Sequence, residues 1–499
     1  MTGYPFACGD SSHRKVFPFM SVRVRFAPSP TGYLHVGGLR TALYNFLLAK
    51  KHHGSFILRI EDTDQSRKVE GATENLIESL RWAGVEFDEG PGKEGSVAPY
   101  IQSQRLEIYR SHVQQLLDLG AAYYCFCTPE RLEELRNKQT AANESTIYDR
   151  HCRTIPYDEA KSKVALGAPH TIRMKVPPDG EVTFIDRIRG TVTIANKIID
   201  DQVLLKSDGF PTYHLANVVD DHLMGITDVI RGEEWLPSTP KHILLYQAFA
   251  WTVPTFAHLP LLLNPDKSKL SKRQGDVAVE DYRAKGYLKE ALVNFVAFLG
   301  WNPGDEREIF SMNELIAEFS MERVGKSGAV FNIEKLNWLN QQHMKLKSDD
   351  ELLALLKPIY AARGITGFSD SYLKQVIGLM KERAVLLPDF VDACSYFYAD
   401  PVSYDEKAKA KSWTAEAPQY VNRLLEKLKS TEPFDAPSIE SALRAAAEEF
   451  SVGAGKLIHP LRLAVSGVPN GPSLFHMMEV LGKEACIRRI AAALDRLKN

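Results

Sequence analysis

The sequence predicts an α/β protein in which a parallel-sheet domain carries an α+β insertion and is followed by an all-α C-terminal region. Three observations support this fold class. Strand-like and helix-like stretches alternate over residues 22–60, which is the order that a parallel sheet requires. Between about residues 105 and 200 the pattern changes to a helix followed by alternating strands. Beyond Gly286 it is helical almost throughout.

The first predicted element is a strand over residues 22–26, where apolar residues alternate with Arg23 and Arg25. This period of two predicts a half-buried strand whose other face is basic. The turn at residues 27–32 contains two prolines and a glycine, which end the strand. Apolar residues then return at helical spacing over residues 39–47 and predict the first helix.

The later elements continue this alternation. Residues 56–60 predict a second strand, which is followed by the acidic stretch 61–64. Because working loops lie at the carboxyl ends of parallel strands, the loops after both strands are candidate parts of a site. The remaining predicted elements are strands at 171–176 and 182–194 in the insertion, a strand at 203–205 where the α/β pattern resumes, a helix at 213–221, a strand at 229–230, a helix at 239–250 and a strand at 259–263.

Composition limits the classes of function. The chain has 499 residues, of which 44% are hydrophobic and 25% charged, the balance of a globular protein with roughly three to five structural units. The chain has 61 basic and 63 acidic residues, so its net charge gives no sign of a nucleic-acid partner. Any RNA contact must come from local basic patches. Six cysteines are too few for a disulfide framework and predict a reducing, cytoplasmic location.

No segment is predicted to enter a membrane. The longest charge-free stretch, residues 242–265, is interrupted by Pro254 and Pro260 and cannot form one spanning helix. Residues 1–20 lack the continuous apolar core of a secretory signal. Residues 1–21 are expected to be an N-terminal extension outside the fold, with Met20 as an alternative start.

The first motif with candidate chemistry is His35-Val36-Gly37-Gly38 at the entry to the first predicted helix. A glycine pair lets a flat base approach the backbone. The helix N-terminus and the imidazole offer positive partial charge to a phosphate group. By itself the motif is also typical of an ordinary turn.

The second motif is the basic loop Lys267–Arg273, which follows the predicted strand at 259–263. When a triphosphate loses pyrophosphate, charge builds on its β and γ oxygens, and a loop lysine can meet that charge in the transition state. By itself this loop is also consistent with a solvated basic face.

Together the two motifs resemble the paired signatures of class I aminoacyl-tRNA synthetases, and further stretches resemble the bacterial-type glutamyl-tRNA synthetases. The resemblance is dense over residues 22–340. Gly38 and Arg273 depart from the broader class pattern, but bacterial glutamyl members tolerate both. The further stretches that carry the resemblance are Arg25–Gly32, Arg59–Asp64, Leu205–Gly209, Pro211–His222 and Val229–Trp235.

The resemblance implies a Rossmann-like catalytic domain and a helical anticodon-binding half. Its expected divisions are the extension at 1–21, the first half of the catalytic domain at 22–104, an inserted acceptor-end-binding domain with the cysteine cluster at 105–205, the second half of the catalytic domain at 206–260, a signature-loop and stem-contact region at 261–345, and two helical anticodon-binding subdomains at 346–404 and 405–499.

The resemblance also implies an activity: glutamate reacts with ATP to give glutamyl-adenylate and pyrophosphate, and glutamate then passes to the 3′-terminal adenosine of tRNA-Glu. The implied cofactors are ATP and Mg²⁺. The implied catalytic residues are His35 and Lys272. The implied ATP-binding residues are Thr31, His35, Gly37, Gly38, Glu234, Trp235, Leu261, Leu262, Lys269 and Lys272.

Glutamate presents two carboxylates and an ammonium group, so its pocket needs planar cations and an anion. By residue-for-residue resemblance, Arg25 and Arg231 hold carboxylate with help from Tyr213, and Glu61 takes the ammonium. The implied glutamate-binding set is Arg25, Ala27, Ser29, Glu61, Tyr213, Asn217 and Arg231.

A metal site is a further candidate. Cys125, Cys127 and Cys152 offer three soft thiolates, and tetrahedral zinc needs a fourth ligand. Some family members carry zinc in this insertion with a histidine two residues after the last cysteine, where this sequence has a threonine. Tyr148 or His151 could substitute, which leaves one structural Zn²⁺ as a candidate cofactor and three metal-free thiols as the alternative.

The expected partner is tRNA-Glu, with tRNA-Gln as an additional substrate if the enzyme is non-discriminating. Unpaired anticodon bases stack on aromatic or guanidinium planes, and Arg383, Trp413, Arg423 and Arg462 are available in the helical half. The family suggests a monomer. The alternatives are a catalytically silent tRNA-binding homologue and a small-molecule nucleotidyltransferase, which has no use for a helical half.

Overall fold

The computed structural model describes residues 21–67, 69–270 and 278–497, and its internal contacts divide the chain into two units. Unit 1 takes the described residues up to Val279 together with Val296–Phe331. Unit 2 takes Glu280–Phe295 and the described residues from Asn332 onward. The N-terminal extension expected at 1–21 lies, apart from its last residue, outside the described residues.

Eleven strands are found among the described residues: β1 (Arg23–Phe26), β2 (Ser55–Leu58), β3 (Ala122–Cys125), β4 (Thr171–Met174), β5 (Glu181–Asp186), β6 (Gly190–Ala195), β7 (Val203–Leu205), β8 (Asp228–Gly232), β9 (Thr255–Leu259), β10 (Leu262–Leu263) and β11 (Ala329–Val330).

The α-helices before residue 332 are α1 (Val36–Lys51), α2 (Ala72–Trp82), α3 (Leu106–Asp118), α4 (Pro129–Ala141), α5 (Tyr157–Ala165), α6 (Tyr213–Leu223), α7 (Thr239–Ala248), α8 (Val279–Lys285), α9 (Lys289–Ala297) and α10 (Met312–Glu318). The later helices are α11 (Ile333–Leu346), α12 (Asp349–Ala362), α13 (Asp370–Met380), α14 (Asp389–Asp392), α15 (Glu406–Ser412), α16 (Ala417–Ser430), α17 (Ala436–Glu449), α18 (Gly455–Ser466), α19 (Leu474–Leu481) and α20 (Lys483–Arg496).

The predicted parallel sheet is confirmed. Unit 1 contains a six-stranded sheet in the order β2-β1-β8-β9-β5-β6. Neighbouring strands from β2 to β5 run parallel, and β6 returns antiparallel to β5. The strand order reverses beside β1, which places the loops after β1, β2 and β8 at one edge of the sheet.

One prediction for β1 is wrong. The alternation over residues 22–26 predicted an exposed basic face, but Arg25 is only 3% exposed. The strand lies inside the sheet with both faces covered, and Arg25 is accommodated there because it forms an ion pair with Asp221 of α6. A buried arginine therefore stands where an exposed one was predicted.

The hairpin β5–β6 also differs from its prediction. Residues 182–194 were expected in the insertion, but these strands extend the six-stranded sheet, where Asp186 pairs with Phe256 of β9. The Asp186 carboxylate also accepts a hydrogen bond from Nδ1 of His258, also on β9, at 2.6 Å. This long-range contact is invisible in the local pattern that suggested the insertion.

The insertion has its own three-stranded antiparallel sheet in the order β3-β4-β7. The strand at 203–205 was predicted to resume the α/β pattern, but β7 pairs with β4 through Ile172 and Leu205. The α/β pattern resumes one element later, with α6 and β8.

The predicted strand at 259–263 is interrupted. Pro260 separates β9 from β10, since proline cannot donate to the sheet. The short β10 pairs in parallel with β11 through Leu262 and Ala329. The strand β11 is thus an exception to the helical pattern predicted beyond Gly286.

Unit 2 is all-helical among its described residues, as predicted for the C-terminal region. Leu288, Ala291 and Met344 belong to its buried core, although residues 261–345 were expected to form a separate region. No helix in the described part of the chain is both long and apolar enough to cross a membrane.

Candidate active site

Two neighbouring cavities open in unit 1, with volumes of about 750 Å³ and about 320 Å³. The walls they share are His35, Gly37, Thr41, Gly232 and Glu234. The larger cavity is lined by the turn before α1 and by Arg25, Glu61 and Arg231. The smaller one continues to Leu261, Leu262 and Lys269. Two ligand groups could therefore lie side by side at one edge of the sheet.

The fold brings the polar side chains together. Arg25 lies on β1, Glu61 follows β2, and Arg231 lies near the end of β8. Because β2, β1 and β8 are adjacent parallel strands, their carboxyl ends meet at the same edge. The sheet topology, rather than nearness in sequence, builds this cavity.

His35 is the N-cap of α1, and its Nδ1 accepts a hydrogen bond from the backbone N–H of Gly38 at 3.0 Å. In the neutral ring the proton is therefore on Nε2. A Cβ at Gly37 would lie 3.0 Å from two atoms of the His35 ring. Glycine at this position lets the imidazole lie over the start of the helix, where anions are favoured.

A buried cluster of charges supports the floor of the larger cavity. Asp221 accepts two hydrogen bonds from Arg25, at 2.9 and 3.2 Å, and one from Arg59 at 2.7 Å. Arg59 also donates to Glu61 at 2.9 Å. Each of the four side chains is at most 6% exposed. Two arginines and two carboxylates thus balance one another away from water.

The cluster shifts the acidity of its carboxyl groups in opposite directions. Burial raises the pKa of Asp221, but Arg25 and Arg59 outweigh burial and hold that pKa below its usual range. Burial dominates at Glu61 and raises its pKa, although Arg59 and Arg25 oppose the rise. A cation that entered the cavity beside Glu61 would favour the charged carboxylate.

The guanidinium of Arg25 retains donor capacity. Its Nε and one Nη2 hydrogen are committed to Asp221. Its Nη1 makes only a long contact of 3.5 Å with the carbonyl oxygen of Ile230. Because Arg25 also lines the larger cavity, Nη1 is placed to meet an acceptor on a ligand.

Arg231 has more partners. It donates from Nη1 to the Tyr213 hydroxyl at 2.9 Å, from Nη2 to Thr239 at 3.0 Å, and from Nε to His258 at 3.1 Å. Both Nη atoms also lie 3.2 Å from Nδ1 of His242. The guanidinium is 5% exposed and lines the larger cavity beside Tyr213.

The Tyr213 hydroxyl has a defined direction. Its oxygen accepts hydrogen bonds from Arg231 and from Nδ2 of Asn217, the latter at 3.0 Å. A tyrosine oxygen accepts two hydrogen bonds at most, so its own hydrogen is left to donate. The cavity wall therefore presents an O–H donor, which matches a carboxylate oxygen and not an amide NH₂.

The structure groups most of the predicted site residues. Lys272 lies outside the described residues. Asn217 lines neither cavity but contacts Tyr213. The predicted residues that line the larger cavity are Arg25, Ala27, Ser29, Thr31, His35, Gly37, Gly38, Glu61, Tyr213, Arg231, Glu234 and Trp235; those that line the smaller one include Leu261, Leu262 and Lys269.

Sequence reasoning missed three residues of this region. Asp221 and Arg59 belong to the buried charge cluster. Glu233 accepts a hydrogen bond from the backbone N–H of Leu261 at 2.9 Å and pairs with Arg189. A signal for Arg59 was present, since it is a charge inside the otherwise apolar stretch 56–60, where only a partner permits burial.

The insertion gathers the predicted metal ligands. The sulfur atoms of Cys125, Cys127 and Cys152 lie within 4.8 Å of one another. The Tyr148 hydroxyl lies 3.4 Å from Cys125 and 3.3 Å from Cys127. Among the described histidines, cysteines and acidic residues, none joins these three sulfurs, so His151 is not placed with them.

The candidate anticodon residues of unit 2 differ in accessibility. Trp413 is only 4% exposed and packs in the helical core. Arg423 is ion-paired with Glu449 and Glu426. Arg383 is exposed, and Arg462 is half-buried. Trp413 is therefore not placed to stack on a base, whereas the three arginines are at least partly exposed.

Comparison with known families agrees with the fold. Residues 21–338 match the family described as "tRNA synthetases class I (E and Q), catalytic domain". Residues 351–494 match the family described as "Anticodon binding domain". The parallel sheet with its cavity and the helical unit together define a class I aminoacyl-tRNA synthetase.

Relatives narrow this class. The chain is 55% identical to the glutamate–tRNA ligase of Chloroherpeton thalassium, over 96% of this chain and 98% of the relative. It is 54% identical to that of Chlorobaculum parvum, over 95% and 98%. A crystal structure of a glutamate tRNA ligase from Elizabethkingia meningosepticum, in complex with its amino acid, matches with a TM-score of 0.90 at 43% identity, over 96% of this chain and all of that one. This chain belongs to the bacterial glutamyl-tRNA synthetase family.

The buried charge cluster leads to a stability prediction. We expect Asp221→Asn to lower the free energy of unfolding of unit 1 by about 3 kcal/mol, because two buried arginines lose the carboxylate that they share. Urea unfolding followed by circular dichroism measures this change. The control is Glu107→Gln, which removes an exposed ion pair with Arg110 and should leave the midpoint unchanged. Equal midpoints for both variants would contradict the role of Asp221.

Proposed function

We propose that this chain ligates L-glutamate to tRNA-Glu, using ATP to form glutamyl-adenylate first. The observation that carries the proposal is a single cavity of about 750 Å³ lined both by the His35 turn and by Arg25, Glu61 and Arg231. The first suits a phosphate chain, and the second suits an amino acid with two carboxylates. The membership in the glutamyl-tRNA synthetase family supports the same reaction.

In the first step the α-carboxylate oxygen of glutamate attacks the α-phosphorus of ATP. The new P–O bond forms as the bond to the β-phosphate oxygen breaks, and pyrophosphate leaves with the bonding electrons. In the second step a hydroxyl oxygen of the terminal adenosine of tRNA attacks the carbonyl carbon of the adenylate. The bond from that carbon to the phosphate oxygen breaks, AMP leaves with the bonding electrons, and the hydroxyl proton passes to the leaving phosphate or to water. No side chain has to become a nucleophile, so positioning and charge stabilisation are the protein's contributions.

The glutamate-binding roles follow from the donors and acceptors of the cavity. Arg25 offers Nη1 to a carboxylate, and Arg231 with the Tyr213 hydroxyl offers a second carboxylate site. Glu61 offers its carboxylate to the ammonium group. Ser29, Ala27 and Asn217 complete the proposed set, the first two as cavity walls.

The ATP-binding roles rest on the turn before α1 and on the smaller cavity. The Nε2–H of His35 is proposed to donate to a phosphate oxygen, a role shared with Lys272 in the second signature. Thr31, Gly37, Gly38, Glu234 and Trp235 line the larger cavity, and Leu261, Leu262 and Lys269 line the smaller one.

Two carboxylates in the wall of the larger cavity, those of Asp64 and Glu234, are oxygen ligands of the kind that Mg²⁺ accepts. Mg²⁺ bound with ATP supplies charge neutralisation.

The remaining divisions are proposed to contact tRNA. The insertion at 105–205, without the hairpin β5–β6, is assigned to the acceptor end, and the subdomains at 346–404 and 405–499 are assigned to the anticodon. A monomer is proposed. The alternative is an enzyme that charges tRNA-Gln as well as tRNA-Glu. The contacts with the anticodon determine which of the two tRNA specificities the enzyme has.

Charging of labelled glutamate onto separate tRNA-Glu and tRNA-Gln transcripts tests the proposal. We expect tRNA-Glu to accept glutamate, because the cavity matches both carboxylates and the ammonium group. Acceptance by tRNA-Glu alone indicates a discriminating enzyme, and acceptance by both indicates a product that needs later amidation. Labelled glutamine is the control and should not be charged. If neither transcript accepts glutamate, the proposal is wrong, and a silent tRNA-binding homologue or a small-molecule nucleotidyltransferase replaces it.

We propose one structural Zn²⁺ held by Cys125, Cys127, Cys152 and Tyr148. The separation of the three sulfurs suits thiolates around one tetrahedral ion, for which each Zn–S bond is about 2.3 Å. Tyr148 lies against two of them and is fixed by the Arg173 guanidinium, 4.0 Å above its ring. A bound zinc would tie β3 to the segment around residue 150 and stabilise the insertion.

Metal analysis of protein purified without chelator tests the zinc proposal. We expect about one zinc per chain, and a loss of most of it in Cys152→Ser because a thiolate ligand is removed. The control is Cys394→Ser, a buried cysteine of unit 2 whose S–H donates to the carbonyl of Phe390 at 2.9 Å, a hydrogen bond that serine keeps. Well under one zinc in the unaltered protein would eliminate this proposal.

A further inference from the structure

We propose that His258 and His242 are positioning residues that hold Arg231 through hydrogen bonds of fixed direction, so that the carboxylate site requires both imidazoles to be neutral. The inference rests on the proposed function, in which Arg231 meets a carboxylate of glutamate. Neither histidine lines the larger cavity or is expected to touch a substrate. Both act through Arg231.

The direction of the hydrogen bonds at His258 follows from Arg231 and Asp186; the Thr239 hydroxyl, 3.2 Å from Nε2, is a third polar neighbour of the ring. The Nε–H of Arg231 can only donate, so Nε2 of His258 must accept. The proton of the neutral ring is then on Nδ1, which donates to the Asp186 carboxylate at 2.6 Å. His258 thus connects Arg231 to the end of β5 and is itself fully buried.

His242 repeats this logic on the other edge of the guanidinium. Its Nδ1 faces both Nη atoms of Arg231 at 3.2 Å and must accept from them. Its proton is therefore on Nε2, which lies 3.1 Å from Nδ1 of His214 and donates to it. The side chain of His242 is 1% exposed.

Burial supports the neutral form of both rings. Burial lowers the pKa of His258, although Asp186 opposes the shift, and Arg231 and Arg189 add to it. Burial also lowers the pKa of His242, and Arg231, His214, His258 and Lys241 lower it further. A proton on either accepting nitrogen would place two donors face to face beside a guanidinium.

The consequence is a guanidinium whose orientation is determined on three sides. His258 and His242 receive its Nε and both Nη atoms, and Thr239 receives Nη2, so rotation away from the cavity would leave buried acceptors without donors. The Nη1 bond to Tyr213 is the one at the cavity wall. The two Nη1 hydrogens point to Tyr213 and His242, so an incoming carboxylate shares the outer Nη1 hydrogen with the Tyr213 oxygen and meets Arg231 and Tyr213 in a prepared arrangement.

Two variants of similar size separate positioning from packing. Glutamine in His258→Gln can place an acceptor near the position of Nε2 and so keep the bond from Arg231. Asparagine in His258→Asn can donate to Asp186 from the position of Nδ1 but does not reach Arg231. We expect His258→Asn to raise the KM for glutamate by about tenfold with the KM for ATP unchanged, since one hydrogen bond to a charged group is lost. We expect His258→Gln to stay within about threefold of the unaltered enzyme.

Aminoacylation of tRNA-Glu at saturating ATP and then at saturating glutamate measures both KM values. Equal glutamate KM values for His258→Asn, His258→Gln and the unaltered enzyme would overturn the inference, as would equal rises in both KM values for His258→Asn. Arg231→Ala separates this failure from that of the proposed function. If Arg231→Ala leaves the glutamate KM unchanged, the carboxylate role of Arg231 is wrong; if it raises the KM while His258→Asn does not, only the positioning role is wrong.

Discussion

The carboxylate of Asp221, buried between Arg25 and Arg59, is the interaction on which the rest of the site depends. It lets two guanidinium groups lie inside a parallel sheet, where an unpaired charge would be too costly to bury. Through Arg59 it also places Glu61. The two carboxylates and the ammonium group of a bound glutamate can then pair with charged side chains that the protein has already oriented.

Directional hydrogen bonds refine this charge pattern. Arginine only donates, so each histidine that touches Arg231 must accept, and the Tyr213 hydroxyl that accepts from Arg231 and Asn217 must donate elsewhere. The site is consequently specific in polarity as well as in charge. That polarity suits a carboxylate, whose two oxygens both accept, better than an amide, which has only its carbonyl oxygen to offer to the donors of Arg231 and Tyr213.

The order of most helices and strands and most of the residues around the cavity could be predicted from the sequence, because motifs such as His35–Gly38 and Val229–Trp235 are local. It was insufficient where a residue depends on a distant partner. The alternation in β1 could not show that Arg25 would be buried against Asp221, almost two hundred positions away. Likewise, the pattern of β5 and β6 could not show that Asp186 would join β9, since register between distant strands is set by tertiary contacts. Lys272, a residue predicted as catalytic, lies outside the described residues.

A crystal structure of this protein with bound L-glutamate tests the central claim most directly. The account predicts a carboxylate of the ligand in hydrogen-bond contact with Arg231 and the Tyr213 hydroxyl, the other carboxylate toward Nη1 of Arg25, and the ammonium beside Glu61, with Asp221 still holding Arg25 and Arg59. Glutamate bound in another orientation, with Tyr213 and Arg231 making no contact to a carboxylate, would contradict it.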